Sequence, residues 1–524
     1  MLFLFAHNLH LLHLGAVVRS LLILLGLALV LWIALTSALK SGQKAGLLIS
    51  LFLVLVFSYE NLFEIVRDSV AGVDWLVGLF IRLEVDRARL HGVLLAVFVV
   101  VFGLSAYLLI RTKRELQNAS FVANVIGSAL VVMTLLDIVG YKVRVASDWR
   151  RAQMVEPSGV SLDEPGVPEM LPDIYYIILD GYARADVLAE VYQHDNGDFI
   201  QHLSGKGFYV ASESRSNYCK TFLSLASSLN MIYLDDLASQ LGPQSQNVRP
   251  TVNMIWDSDV ARYLKRLGYT TVAFSTGWWA TEMSEADVYL SPWREPDFFL
   301  RELIGLTPVP FLAGQFGVRD PHGAHRERIL YAFDGLTDLP PLDGPLFVFA
   351  HIIAPHPPFV FGRQGEEIGS GRRFTIRDGA HIIDEGRYTR EEYVDKYRDQ
   401  LIFINSKVGE VVEAMLSESS GSAVVILQAD HGPRSTQQWE GDEDASLRER
   451  FSILNAYYLP DGDGAQLYDS ITPVNTFRVI FNHYFGTELE LLEDESYFST
   501  SDRPYDFEDV TEQIESTREI ALPQ

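Results

Sequence analysis

Ile177-Ile-Leu-Asp-Gly-Tyr182 and, much later in the chain, Val424-Val-Ile-Leu-Gln-Ala-Asp-His-Gly432 decide the fold between them. Each is an apolar run of strand type that stops at a side chain able to bind a metal. The first delivers Asp180, the second the adjacent pair Asp430 and His431. In an α/β sheet, ligands gather beyond the carboxyl ends of the strands, so both motifs are expected in one crevice. A carboxylate, an Asp-His pair and a hydroxyl are a donor set for a divalent metal. The alternative is two buried strands capped by turn-forming Asp-Gly and His-Gly pairs. Either motif alone would leave that alternative favoured; the two together, with a third element described below, point to a metalloenzyme.

Two strand-forming runs lie between them, and with helical stretches they set the architecture. Ile174–Leu179, Thr270–Ser275, Leu346–Ala350 and Ala423–Leu427 are β-branched or aromatic and bounded by Gly, Pro or Asp. Asp257–Leu267 and Arg390–Leu416 carry apolar residues at helical spacing. Alternating strands and helices predict a mostly parallel sheet covered on both faces. The expected organisation is a transmembrane part over residues 1–149 and a linker over 150–171. An α/β domain over 172–487 and an acidic tail over 488–524, at the surface and partly mobile, complete it.

Charge is divided as sharply as hydropathy. Up to Arg150 there are 13 Lys and Arg against 9 Asp and Glu; beyond it there are 29 against 59. An acidic domain of that balance is a poor candidate for binding nucleic acid, because phosphate contacts need clustered Lys and Arg, and no nucleic-acid partner is expected. The single cysteine, Cys219, excludes an internal disulfide and a multi-cysteine zinc site.

Four apolar runs are long enough to embed the chain in a membrane: Ser20–Leu39, Ala45–Ser58 running on to Phe63, Val93–Ile110 and Ser120–Val139. Met1–Leu14 is apolar but short, and could be a signal-peptide core, an interfacial helix or a fifth span. Lys40 and Lys44, and then Arg111, Lys113 and Arg114, lie in short loops and mark them as cytoplasmic. The large domain then emerges outside, periplasmic or extracellular. Arg67, Arg82, Arg87 and Arg89 in the outer loop, and Lys142 to Arg151 after the last span, count against this orientation. Leu62, Phe63, Ile65, Trp75, Leu79 and Phe80 read as an amphipathic helix on the outer surface.

Asn217-Tyr-Cys-Lys-Thr-Phe-Leu-Ser-Leu-Ala-Ser-Ser-Leu-Asn230 reads as a loop feeding a small-residue helix, with Thr221 at its start. Free N–H groups and the dipole favour an anion there, and a hydroxyl held by a metal can become a nucleophile. The alternative is that Thr221 is merely the N-cap, the commonest role at such a position, and without the two strand-end motifs that reading would be favoured. In Phe349-Ala-His-Ile-Ile-Ala-Pro-His-Pro-Pro-Phe359, His351 and His356 fall near a strand end. Either could bind a metal or substrate, or donate a proton. His351, closer to the strand, could instead be structural, and His356 is the stronger functional candidate.

These four elements, in this order, resemble the sulfatase-like branch of the alkaline phosphatase superfamily, and in particular membrane-anchored lipoteichoic acid synthases and lipid A phosphoethanolamine transferases. The resemblance implies an α-helical transmembrane bundle followed by an alkaline phosphatase/sulfatase-like α/β domain. It implies Asp180, Asp430 and His431 as metal ligands, Thr221 as ligand and nucleophile, and His356 as substrate-binding and catalytic; His351, from its place near the strand end alone, is a second substrate-binding candidate. Cys219 is followed by Thr221 and Leu223 where sulfatases need Pro and Arg, which argues against formylglycine chemistry. Gly181 stands where sulfatases carry a second acid. The next histidine after the Asp-His-Gly motif is His483, so one zinc or manganese site is expected rather than two. The implied activity is transfer of a phospho-alcohol head group from a membrane lipid donor to a glycan or lipid acceptor through phosphothreonine. The alternatives are a hydrolase of phosphodiesters or sulfate esters, and a non-catalytic membrane scaffold.

Overall fold

The structure is a computed structural model of the chain, described for residues 14–71, 87–153, 171–293, 298–315, 321–368, 374–376, 379–384, 386–418, 422–435, 443–462, 464 and 466–521. It divides into two compact units. Met1–Ala146 with Glu295–Asp320 form one; Ser147–Arg294 with Pro321–Gln524 form the other.

The first unit is built from the helices Leu14–Leu39, Gly42–Ala71, Arg87–Arg111 and Gln117–Gln153, the last of which continues past Ala146 into the second unit. All four are long and apolar enough to cross a membrane, and their outward residues, such as Leu22, Val30, Val99 and Leu136, are exposed. Hydrocarbon-facing helices need no polar outer stripe, because lipid satisfies an apolar surface. Lys44 Nζ donates to the carbonyls of Ile110 and Thr112, each at 2.9 Å, and ties the two basic loops together at one end of the bundle. Two expectations change. Leu62, Phe63 and Ile65 continue the second helix through Ala71 rather than forming a separate surface helix, while Trp75, Leu79 and Phe80 lie outside the described residues. The fourth helix runs on to Gln153, into the expected linker. The rest of that linker up to residue 170, and the N-terminal stretch up to residue 13, also lie outside the described residues.

In the second unit, β1 (Ile174–Leu179), β2 (Tyr209–Val210), β3 (Thr270–Phe274), β4 (Val288–Leu290), β5 (Leu346–Ile352), β6 (Val424–Gln428) and β7 (Asn455–Tyr458) make one sheet in the order β2-β7-β6-β1-β5-β3-β4. The five strands from β6 to β4 run parallel; β7 and β2 pair antiparallel at one edge. Alternation decides which face each residue serves. Ile177, Leu179, Val348, Ala350, Val425 and Leu427 pack beneath the Pro321–Thr337 and Arg390–Glu418 helices. Ile174, Tyr176, Ile178, Phe347, Phe349, Val424 and Ile426 pack on the opposite face against Thr221–Asn230, Asp259–Arg266 and Pro473–Phe485. Burial on both faces explains why these strands read as unbroken apolar runs.

The acidic tail is not a surface appendage. Tyr505, Val510 and Ile514 are buried. Val510 and Ile514 join Cys219, Leu447 and Phe451 in a small core. Asp494 accepts from the hydroxyls of Ser470 and Thr472 and from the Thr472 amide.

Candidate active site at the strand ends

Parallel register brings the motifs together. β1 sits between β5 and β6, with Leu179 opposite Ile352 and Ile178 opposite Gln428. Asp180 therefore leaves the sheet beside His351, and Asp430 leaves it two residues after Gln428. Asp180, His351 and Asp430 offer ligand atoms all within 4.8 Å of one another. Among the described residues this is the one His, Cys, Asp or Glu group of three or more that close. His431 Nε2 lies 3.3 Å from Asp430 Oδ2 and 3.8 Å from Asp180 Oδ1. Thr221 Oγ1 lies 3.1 Å from the same His431 nitrogen.

Thr221 is not the N-cap of its helix. Lys220 takes that position without a side-chain cap, and Thr221 is the first helical residue. Its hydroxyl is thus released from the backbone and turned to His431. The carbonyl of Gly432 can only accept, so the 2.9 Å contact fixes the proton of His431 on Nδ1 and leaves a lone pair on Nε2. Thr221 donates to that lone pair. Arg450 holds the two segments in place: Nε and Nη2 donate to the Cys219 carbonyl, and Nη1 to that of Gly432. Gly432 has no room for a side chain, since a Cβ there would meet Glu449 O at 2.1 Å. Gly181 adopts φ +70°, which glycine takes at no steric cost, and its amide donates to Asp430 Oδ1 at 3.2 Å.

His351 is oriented by a chain of hydroxyls. Thr276 donates towards Glu282 or the Trp278 carbonyl, both of which only accept. Thr281 donates to Thr276, and so accepts from His351 Nδ1–H at 2.8 Å. The Nε2 lone pair of His351 then faces Asp180 Oδ2 at 3.2 Å. Two acceptors face each other, as around a cation. Asp180 Oδ1 and Asp430 Oδ2 are buried without a hydrogen-bond partner, a costly arrangement in a protein interior unless a positive charge joins them. Buried carboxylates, imidazole lone pairs and a hydroxyl meeting at one point suit a divalent metal ion.

His356 lies beside the cluster. Its amide donates to the Asp180 carbonyl at 3.0 Å, and its ring centroid is 6.3 Å from that of His431. Its Nδ1–H donates to the Pro357 carbonyl at 2.5 Å, leaving Nε2 for other work. All six candidates are buried. Cys219 points elsewhere, its thiol 3.5 Å from the Ser499 carbonyl. His483 is on the Pro473–Phe485 helix and pairs with Asp461 at 2.5 Å, apart from this site. Sequence reasoning missed Thr281 and Arg450, which no local pattern marks.

The chain thus joins four helices apolar enough to cross a membrane to an α/β domain with a mostly parallel sheet and acids at the ends of its central strands. The chain belongs to the sulfatase family, whose model matches residues 172–511. No curated protein matches its sequence. Among solved structures it is similar to the zinc complex of the C-terminal periplasmic domain of EptC from Escherichia coli, at 11% identity and TM-score 0.40, covering 67% of this chain and 94% of that one. The integral membrane lipooligosaccharide phosphoethanolamine transferase A of Neisseria meningitidis is similar at 14% identity and TM-score 0.42, covering 74% and 68%. The phosphonate monoester hydrolase of Agrobacterium radiobacter is similar at 13% identity and TM-score 0.39, covering 62% and 80%.

Proposed function

We propose that the protein is a membrane phosphotransferase whose Thr221 accepts a phospho-alcohol group from a lipid donor and passes it to an extracytoplasmic glycan or lipid. The observation that carries this reading is the convergence of Thr221 Oγ1, at 3.1 Å from His431 Nε2, with Asp180, Asp430 and His351. Asp180, Asp430 and His431, with His351, would hold one zinc or manganese ion. That ion would favour the deprotonated hydroxyl of Thr221 and offset charge on the phosphoryl oxygens. Thr221 Oγ1 attacks phosphorus, forming a phosphothreonine and releasing the lipid alcohol. His356 Nε2 gives its proton to that departing oxygen. The acceptor hydroxyl then attacks phosphorus, loses its proton to the same nitrogen, and frees Thr221.

Four apolar helices support a lipid donor, because they confine enzyme and substrate to one surface. The sulfatase reaction lacks support here: the formylglycine pattern is absent and Cys219 faces a small core. The test incubates the full chain in phospholipid vesicles with a head-group-labelled phospholipid, with and without an added glycan. The reading requires label on the acceptor from wild type and none from Thr221→Ala. Label released only into water makes the protein a hydrolase, and equal transfer by Thr221→Ala removes the nucleophile.

A further inference from the structure

Between β4 and the Pro321–Thr337 helix, the chain leaves the sheet unit and contributes Phe298–Gly305 and Val309–Gln315 to the unit of apolar helices. From Leu303 to Gln315 it carries no charged side chain, in a part of the protein where acids outnumber bases two to one. One side of this segment is packed. Leu303 and Thr307 are buried, and the Leu306 carbonyl accepts from the Glu60 amide at 3.3 Å. The Phe311 ring stacks on His91 at 4.6 Å; His91 stacks in turn on Phe63 and bonds the Tyr59 hydroxyl through Nδ1 at 3.1 Å. These partners lie near the C-terminal end of Gly42–Ala71 and the N-terminal end of Arg87–Arg111. That is the opposite end of the bundle from the basic loops joined by Lys44.

The other side is apolar and bare. Ile304 is 37% exposed, Val309 49% and Leu312 38%. Val309 and Leu312 are three apart on one helix and so share a face. The same end of the bundle leaves Leu62, Ile65 and Val93 exposed, residues of the spans themselves. A bare apolar face next to lipid-facing residues has the bilayer as its natural cover.

We propose that Phe298–Gln315 is a re-entrant membrane-surface element, with Ile304, Val309 and Leu312 seated at the boundary between head groups and acyl chains of the leaflet away from the basic loops. It adds two chain crossings to the one between Ala146 and Ser147, within the fourth helix, so the two units are connected by more than a single passage of the chain. This proposal does not depend on the reaction the enzyme carries out.

The test places one cysteine at Leu312 or Val309 of the full chain in phosphatidylcholine vesicles and labels it with an environment-sensitive fluorophore. Asp502→Cys, on an exposed turn of the sheet unit, is the aqueous reference. The parent chain, whose only cysteine is the buried Cys219, provides the background. Phospholipids with a nitroxide high on the acyl chain should quench Leu312→Cys and Val309→Cys several-fold more than Asp502→Cys, and aqueous iodide should show the reverse order. Iodide quenching equal to that at Asp502→Cys overturns the proposal. Shielding from both quenchers overturns it too, because it would mean that protein covers this face.

Discussion

Thr281→Val isolates the device that aims His351. Valine keeps the shape of threonine and removes the hydroxyl that accepts from His351 Nδ1–H at 2.8 Å. The exchanged hydrogen bond is worth about 0.5–1.5 kcal/mol net, and a buried N–H left without a partner costs about 1–3 kcal/mol. The ring escapes that cost by moving its proton to Nε2 and donating to Asp180 Oδ2, which lies 3.2 Å away. A metal must then reverse the change before it can bind. Loss of such an orienting partner lowers metal affinity by roughly 10–100-fold. Zinc affinity, measured by competition with a chromogenic chelator, should fall by that factor in Thr281→Val, while Thr281→Ser stays near wild type. His351→Ala sets the floor of the series. Affinity of Thr281→Val equal to wild type, with His351→Ala impaired, would refute the claim that the hydroxyl chain fixes the tautomer.

Four further outcomes follow from the same geometry. Thr221→Ala should lose at least about 100-fold in transfer rate, Thr221→Ser should keep measurable activity, and Cys219→Ser should stay within a few-fold of wild type, all read as label transferred. Asp430→Asn should abolish metal binding, measured by elemental analysis of the purified chain, while circular dichroism shows the same secondary structure. Chelation of the metal should lower the unfolding temperature of wild type but not of Asp430→Asn, because an ion that binds only the folded state stabilises it. Burial, with the charges of Arg328, His322 and His356, pushes His325 down to about 3 from its ordinary 6.5. The unfolded chain therefore binds a proton that the folded one refuses. The stability this group contributes is complete above pH 6.5 and is lost progressively as pH falls towards 3. His325→Leu should flatten the fall of the unfolding temperature between pH 7 and 5.

The ends of β1 and β6 were legible because both strands are buried on both faces, so Ile177–Leu179 and Val424–Leu427 stand out as apolar runs, and their polar stops are visible against them. Thr221 and His356 were legible as residue types in suggestive settings. The place of His351 was not: all seven residues of β5 are buried, so no alternation distinguishes a histidine turned to Asp180 from one in the core. Thr281 and Arg450 act through hydrogen bonds to partners far off in sequence, Thr281 on His351 and Arg450 on the Cys219 carbonyl, and such contacts leave no periodic trace. The tail misled by composition. Most of its described acids are exposed, but Asp494 is held by Ser470 and Thr472, and Tyr505, Val510 and Ile514 do the packing. The apolar Leu303–Gln315 stretch belongs to a different unit from the sequence on either side of it, and only the tertiary partners of Leu306 and Phe311 reveal that.

The central claim is that Thr221 carries the group during transfer. The direct measurement is mass spectrometry of the chain after rapid acid quenching from turnover with a labelled phosphodiester lipid and no acceptor. The account predicts a phospho-alcohol adduct on the peptide containing Thr221, absent from Thr221→Ala and discharged when acceptor is added before the quench. An adduct on Cys219, on a neighbouring serine or on a histidine, with Thr221 unmodified, would contradict it.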